Sequence, residues 1–274
     1  MVGGNKNMSK ENTAVTKKKI KRCKEDVVFD AACFIILTLV LFVVAYPLYW
    51  VIISSISAPS AVSSGKVLLH PIGFTLKGYA EVFKNDQVMR GFLNSLIITF
   101  CGVMVNLIVT LPTSYALSRS NFSGKKPITI FYLITMFFGG GLIPTYLVIQ
   151  RLQMLNTIWA LILPGCLSVY NMIVARTFFK SNISEELYEA AEIDGCTQAR
   201  FFFQIALPLS KAIIAILVLY YGVGHWNSYF SALVYISDKA KYPLQLVLRN
   251  ILITNQTALS LSLIHISEPT RHLR

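Results

Sequence analysis

Charge is scarce in this sequence. Only 14% of its 274 residues are charged, against 54% hydrophobic, and the mean hydropathy is +0.58. A soluble globular domain carries about 25% charged residues, so that class is excluded. Disorder is excluded as well, because disordered chains are polar and poor in aromatics, and aromatics here are 12%. Metal and disulfide patterns are also missing. The five cysteines (Cys23, Cys33, Cys101, Cys166, Cys196) form no CxxC pair, and the four histidines form no HExxH or similar spacing. Both absences argue against a metal hydrolase or a disulfide framework. No P-loop pattern is present. GKK at 124–126 lacks the preceding glycine and the following hydroxyl, so ATP has no site of that kind here. Asp and Glu are missing from the middle of the apolar runs, where an ion-coupled carrier would place them.

What remains is a polytopic membrane protein. Five apolar runs stand out, at 27–53, 93–117, 128–149, 158–179 and 209–236. Each has the roughly 20 residues that a helix needs to cross hydrocarbon, and none alternates like a barrel strand. The first run is too long for the apolar part of a cleaved signal peptide. It ends in Tyr46, Tyr49 and Trp50, an interfacial aromatic belt.

The net charge of +12 needs no nucleic-acid partner, because basic residues gather in cytoplasmic loops. With the N-terminus inside, residues 1–26, 118–127 and 180–208 with the adjoining helix ends hold fifteen Lys and Arg, and the outer segments, leaving out Arg271 and Arg274 of the final tail, hold eight. The N-terminus is therefore expected in the cytoplasm, with 1–26 as a basic tail and 181–208 as an inner loop.

That loop carries the most information. Ser184 can cap a helix whose first turn holds Glu185 and Glu186, favourable against the dipole. Leu187, Ala190, Ala191 and Asp194 share one face at helical spacing. Gly195 ends the helix, and a second turn starts at Thr197 and runs into Phe201, Phe202 and Phe203. The first helix is acidic, which disfavours a membrane-surface segment. Exposed apolar groups on so short a loop then point to docking on a partner.

The same stretch resembles the EAA motif of permease subunits of bacterial ABC importers, EAA-x3-G-x9-I-x-LP. Glu189, Ala190, Ala191, Gly195, Ile205, Leu207 and Pro208 meet all seven fixed positions. With AYPLYW (45–50), FFGGGLIPTYL (137–147) and GVGHWNSYFSAL (222–233), the chain is similar to the carbohydrate-uptake branch, the MalG-like, LplC-type permeases. The resemblance implies an all-α, type I importer (MetI-like) transmembrane domain over 27–257. It implies coupling to an ATPase through Glu189, Ala190, Ala191, Asp194, Gly195, Ile205, Leu207 and Pro208, with no catalytic or metal site. ATP and Mg would bind a separate subunit. The implied partners are a second homologous permease, a dimer of ATP-binding subunits, an extracellular solute-binding lipoprotein and membrane lipid, in the bacterial cell membrane.

The expected function is uptake of a sugar or oligosaccharide, with an ion-coupled secondary transporter as the alternative. Asn94, Asn106, Tyr115, Tyr170, Asn171, His225, Trp226 and Asn227 are candidates to line a sugar path. Tyr170, Asn171, Trp226 and Asn227 are preferred; a lone histidine such as His225 more often bonds helix to helix. Gly139, Gly140, Gly141 and Pro144 interrupt the third run. The family pattern also calls for a sixth span. Residues 258–274 have an apolar part, Ala258–Ile266, that is only nine residues long and includes two serines and a histidine before Glu268, Pro269 and Arg271, about half a crossing. They resemble a translated sequencing-adapter fragment, so the last span is expected to be missing and this tail non-native.

Overall fold

The computed structural model describes residues 24–254, which form helices and turns. The expected basic tail up to Cys23 and the expected non-native tail lie outside the described residues. The chain divides into two compact units, one ending at Ala80 and the other beginning at Glu81.

In the first unit, α1 (Lys24–Ser55) covers the first apolar run and extends beyond it. A short helix α2 (Pro59–Ser63) follows. The aromatic belt at the end of α1 serves as a set of donors: the Tyr49 hydroxyl donates to Leu69 O at 2.6 Å and Trp50 Nε1 to Val67 O at 2.8 Å. These bonds satisfy carbonyls of the extended segment that follows α2, while Ile53, Ala61 and Val67 pack beneath it. Helix α3 (Lys77–Lys84) crosses the boundary between the units.

The second unit is organised around α4 (Asp86–Ser118), capped by the Asn85 side chain. Next come α5 (Lys125–Phe137) and α6 (Leu142–Arg151), α7 (Trp159–Ile162) with a further tight turn to Gly165, and α8 (Val169–Asn182). The inner-loop segment forms α9 (Glu185–Ile193), α10 (Gln198–Phe201), one wide turn at Phe202–Ala206 and α11 (Leu207–Leu209). Then follow α12 (Lys211–Trp226), α13 (Tyr229–Tyr235) and α14 (Leu244–Thr254). Helices α8 and α12 both pack against α4.

Among the described residues, only α1 and α4 are long and apolar enough to cross a membrane unbroken. Three of the runs expected as single spans are divided. The run 128–149 bends by 114° between α5 and α6, because Gly139–Gly141 leave the helix and Gly141 takes φ +81°. The run 158–179 bends by 52° between α7 and α8, where Pro164 and Gly165 interrupt it. The run 209–236 stops at Trp226: Asn227 caps α12 and Ser228 opens α13. Residues 244–254, beyond the fifth run, are helical.

Small and polar residues on α4 fasten the bundle. Asn106 Nδ2 donates to Gly165 O (2.8 Å) and Cys166 O (3.0 Å), and its Oδ1 lies 2.7 Å from His225 Nε2. Thr110 shares a 2.8 Å hydrogen bond with the Tyr221 hydroxyl, which also accepts from Ser168 N. Ser114 Oγ donates to Met172 O at 3.0 Å. Such bonds join apolar helices where burial alone gives no preference for helix over lipid.

Candidate functional site

The α9–α10 loop is built from local signals. The Ser184 hydroxyl accepts from Leu187 N, and the Thr197 hydroxyl accepts from Arg200 N, so both helices begin with a side-chain cap. Helix α9 ends in a Schellman arrangement: Cys196 N donates to Ala191 O and Gly195 N to Glu192 O, both at 2.9 Å. Gly195 occupies the left-handed region at φ +75°, open to glycine at little cost. Nothing lies within 4 Å of where its Cβ would be, so backbone conformation alone selects glycine here.

Aromatic packing then seats the loop on the bundle. Tyr188 (7% exposed) and Phe201 (0%) turn inward and meet edge to face at 5.3 Å between centroids. Tyr115 on α4 lies 5.0 Å from Phe202, 6.4 Å from Phe201 and 5.7 Å from Phe179 of α8. The expectation of three exposed phenylalanines is corrected: Phe201 and Phe202 are core, and only Phe203 projects, at 66%. The wide turn at Phe202–Ala206 places successive phenylalanines inward together.

Opposite that anchor, the loop presents an uncovered face. Glu189, Ala190, Asp194, Gly195 and Pro208 are exposed, while Ala191, Ile205 and Leu207 are half-buried and pack against the aromatic core. Asp194 is the cap residue after α9 rather than a member of its face. Ile193 is 87% exposed, an apolar projection that sequence reasoning missed although its place beside Asp194-Gly195 was readable. Tyr188 was missed too, and its i+3 spacing from Glu185 gave no sign of burial. Arg119 also went unnoticed, yet it ties the end of α4 to this loop.

The preferred sugar-path residues scatter. Tyr170 is exposed at the start of α8, and Asn171 is buried beside it. Trp226 packs edge to face on Phe92 at 5.9 Å. Asn227 Nδ2 donates to Val223 O at 2.9 Å. No hydrogen bond or ring contact joins the first pair to the second among the described residues. Four other candidates are committed elsewhere: Asn94 donates to Ala240 O and Tyr242 O, Asn106 and His225 bond to each other, and Tyr115 is the centre of the aromatic cluster.

No protein-family profile matches the chain. It is 37% identical over 227 residues, 83% of this chain and 79% of the other, to the polygalacturonan/rhamnogalacturonan transport system permease protein YtcP of Bacillus subtilis. It is 39% identical over 226 residues, 82% of this chain and 76% of the other, to protein LplC of the same organism. Among solved structures, a bacterial ABC transporter involved in import of the acidic polysaccharide alginate contains a chain that matches with a TM-score of 0.80 at 28% identity, covering 84% of this chain and 82% of that one. The chain belongs to the carbohydrate ABC transporter permeases, multi-pass cell-membrane subunits of binding-protein-dependent importers that have no catalytic centre or cofactor of their own and leave ATP hydrolysis to a separate subunit.

Proposed function

We propose that this permease imports an oligosaccharide, with its N-terminus and the α9–α10 loop in the cytoplasm and an ATP-binding subunit docked on that loop. The observation that supports the reading most is the loop's two-sidedness. Tyr188 and Phe201 fix it to the bundle, while Glu189, Ala190 and Ile193 face outward. A nine-residue helix is marginal by itself, so movement imposed on the outer face must reach the core through the buried rings. The small side chains of Ala190 and Ala191 allow close approach, and Gly195 sets the bend. Nucleotide binding would act by stabilising one conformation of the pair over the other.

The rest of the assembly follows the same reading: a second homologous permease, two ATP-binding subunits and an extracellular solute-binding lipoprotein. A relative named for polygalacturonan and rhamnogalacturonan, and a structural neighbour described as an alginate importer, support a saccharide cargo. Of the expected path residues, the exposed Tyr170 and Asn227 and the half-buried Trp226 are open to contact it, whereas Asn171 is buried. Family membership leaves the ion-coupled carrier without support.

A cysteine at position 190 in a cysteine-free background tests the docking, and it should crosslink to the co-purifying ATP-binding subunit. Uptake of labelled oligosaccharide should collapse when ATP is depleted under a maintained proton gradient, and should persist with an uncoupler when ATP is clamped. The opposite energetic pattern, or a complex that forms without the crosslink, refutes the reading.

A further inference from the structure

Arg119 follows the last residue of α4 and reaches the junction of α8 and α9. Its side chain is 11% exposed. Nη2 donates to Ile183 O, at the end of α8, at 3.2 Å, and the guanidinium carbon lies 5.0 Å from the centre of the Tyr115 ring. Glu185 Oε1, in the first turn of α9, accepts from Ser120 N at 3.1 Å. Lys125 closes the turn behind them, its ammonium donating to Arg119 O and Ser120 O. The charged partners form only a long ion pair: Arg119 Nη1 lies 3.9 Å from Glu185 Oε2. Nη1 is buried and has no hydrogen-bond partner.

A buried donor without an acceptor costs free energy, and the nearest carboxylate oxygen lies about 1 Å beyond charge-assisted bonding distance. A shift of α9 toward α4 by that amount would complete the bond. The conformation seen here and the shifted one therefore differ in a specific interaction, the requirement for a two-state element.

We propose that Arg119 and Glu185 form a state-dependent clamp, half open in this conformation. It closes when α9 is pressed toward the bundle, and it carries that displacement into the ends of α4 and α5. The proposal rests on the α9–α10 loop being the docking element. Arg119 is a positioning residue in it and touches neither sugar nor nucleotide.

The test uses the assembled transporter, with its own ATP-binding subunits and lipoprotein, in proteoliposomes. The quantity read is oligosaccharide moved per ATP hydrolysed. Glu185→Gln keeps the acceptor for Ser120 N and removes only the charge; its half-exposed side chain makes loss of folding a minor concern. It should lower the ratio by about tenfold, with hydrolysis continuing. Arg119→Gln should do the same, the double variant should be no worse than either single one, and Arg119→Lys should recover part of the ratio. A role confined to holding the fold would lower assembly, hydrolysis and transport together and leave the ratio unchanged. That outcome, or additive losses in the double variant, overturns the clamp. The crosslink from position 190 reports docking separately, so a docked complex with a wild-type ratio in both single variants refutes the clamp alone.

Discussion

Gly102 on α4 faces the tip of the His225 ring so closely that a Cβ added there would lie 2.5 Å from Nε2 and 2.6 Å from Cδ2. Gly102→Ala must therefore displace the imidazole. That ring is pinned by its 2.7 Å bond to Asn106, and Asn106 is itself fixed by two backbone carbonyls and fully buried. Two costs follow: overpacking, about 1–3 kcal/mol, and an unsatisfied amide oxygen, about 1–3 kcal/mol. One gain opposes them, since alanine is about 1 kcal/mol better than glycine inside a helix. The losses win, and a net destabilisation of about 1–5 kcal/mol is expected. Gly222→Ala on α12 is the control. Its Cβ would meet Val103 Cγ2 at 3.9 Å, an ordinary contact, so it should be neutral or slightly stabilising. The assay is thermal unfolding of the purified subunit in detergent, comparing the two variants. A third variant isolates the cause: in a His225→Ala background the clash is gone, and Gly102→Ala should then cost little. Equal midpoints for Gly102→Ala and Gly222→Ala, or an undiminished penalty in the His225→Ala background, would refute the reasoning.

Gly195→Val should leave membrane insertion intact and abolish uptake, because a β-branched residue resists φ +75°; Gly195→Asn, tolerant of that region, should keep part of it, as a transport assay would show. Ile193→Asp should leave the melting temperature of the subunit unchanged and reduce recovery of the ATP-binding subunit in pull-downs, since Ile193 touches little of its own chain. Tyr188→Ala should cost about 3 kcal/mol and make α9 the first segment cut by limited proteolysis. Asn106→Leu strands the Gly165 and Cys166 carbonyls and should lower the unfolding midpoint by at least as much as Gly102→Ala.

The membrane class, the helical character and the caps of α9 and α10 were legible because each depends on neighbours in sequence: long apolar runs, Ser184 and Thr197 before helical stretches, Gly195 after one. The division of those runs was less so. Gly139–Gly141 announced a break but not a 114° corner, and Asn227-Ser228 carries no strong breaker signal even though it ends α12. The inward turn of Phe201 and Phe202 was hidden, because the partner rings Tyr115 and Phe179 lie far away along the chain. For the same reason the polar residues could not be sorted in advance. His225 could be read as a helix-to-helix group, but its partner Asn106 looks as much a sugar ligand as a helix fastener until the carbonyls of Gly165 and Cys166 are brought beside it.

The corner between α5 and α6 has a consequence for the solvent around it. Helix α5 has thirteen residues and rises about 20 Å, well short of the ~30 Å hydrocarbon layer. At its end the N–H groups of Gly139, Gly140 and Gly141 find no backbone acceptor among the described residues; only the Gly141 carbonyl is used, by Thr145. Acyl chains offer nothing to such groups, and each one left dry costs several kcal/mol. Three together would exceed what the flanking Phe137 and Phe138, both more than three-quarters exposed, could recover by dissolving in lipid. The glycine corner is thus a point from which lipid tails are kept off, its N–H groups calling for water or for the polar surface of a neighbouring subunit.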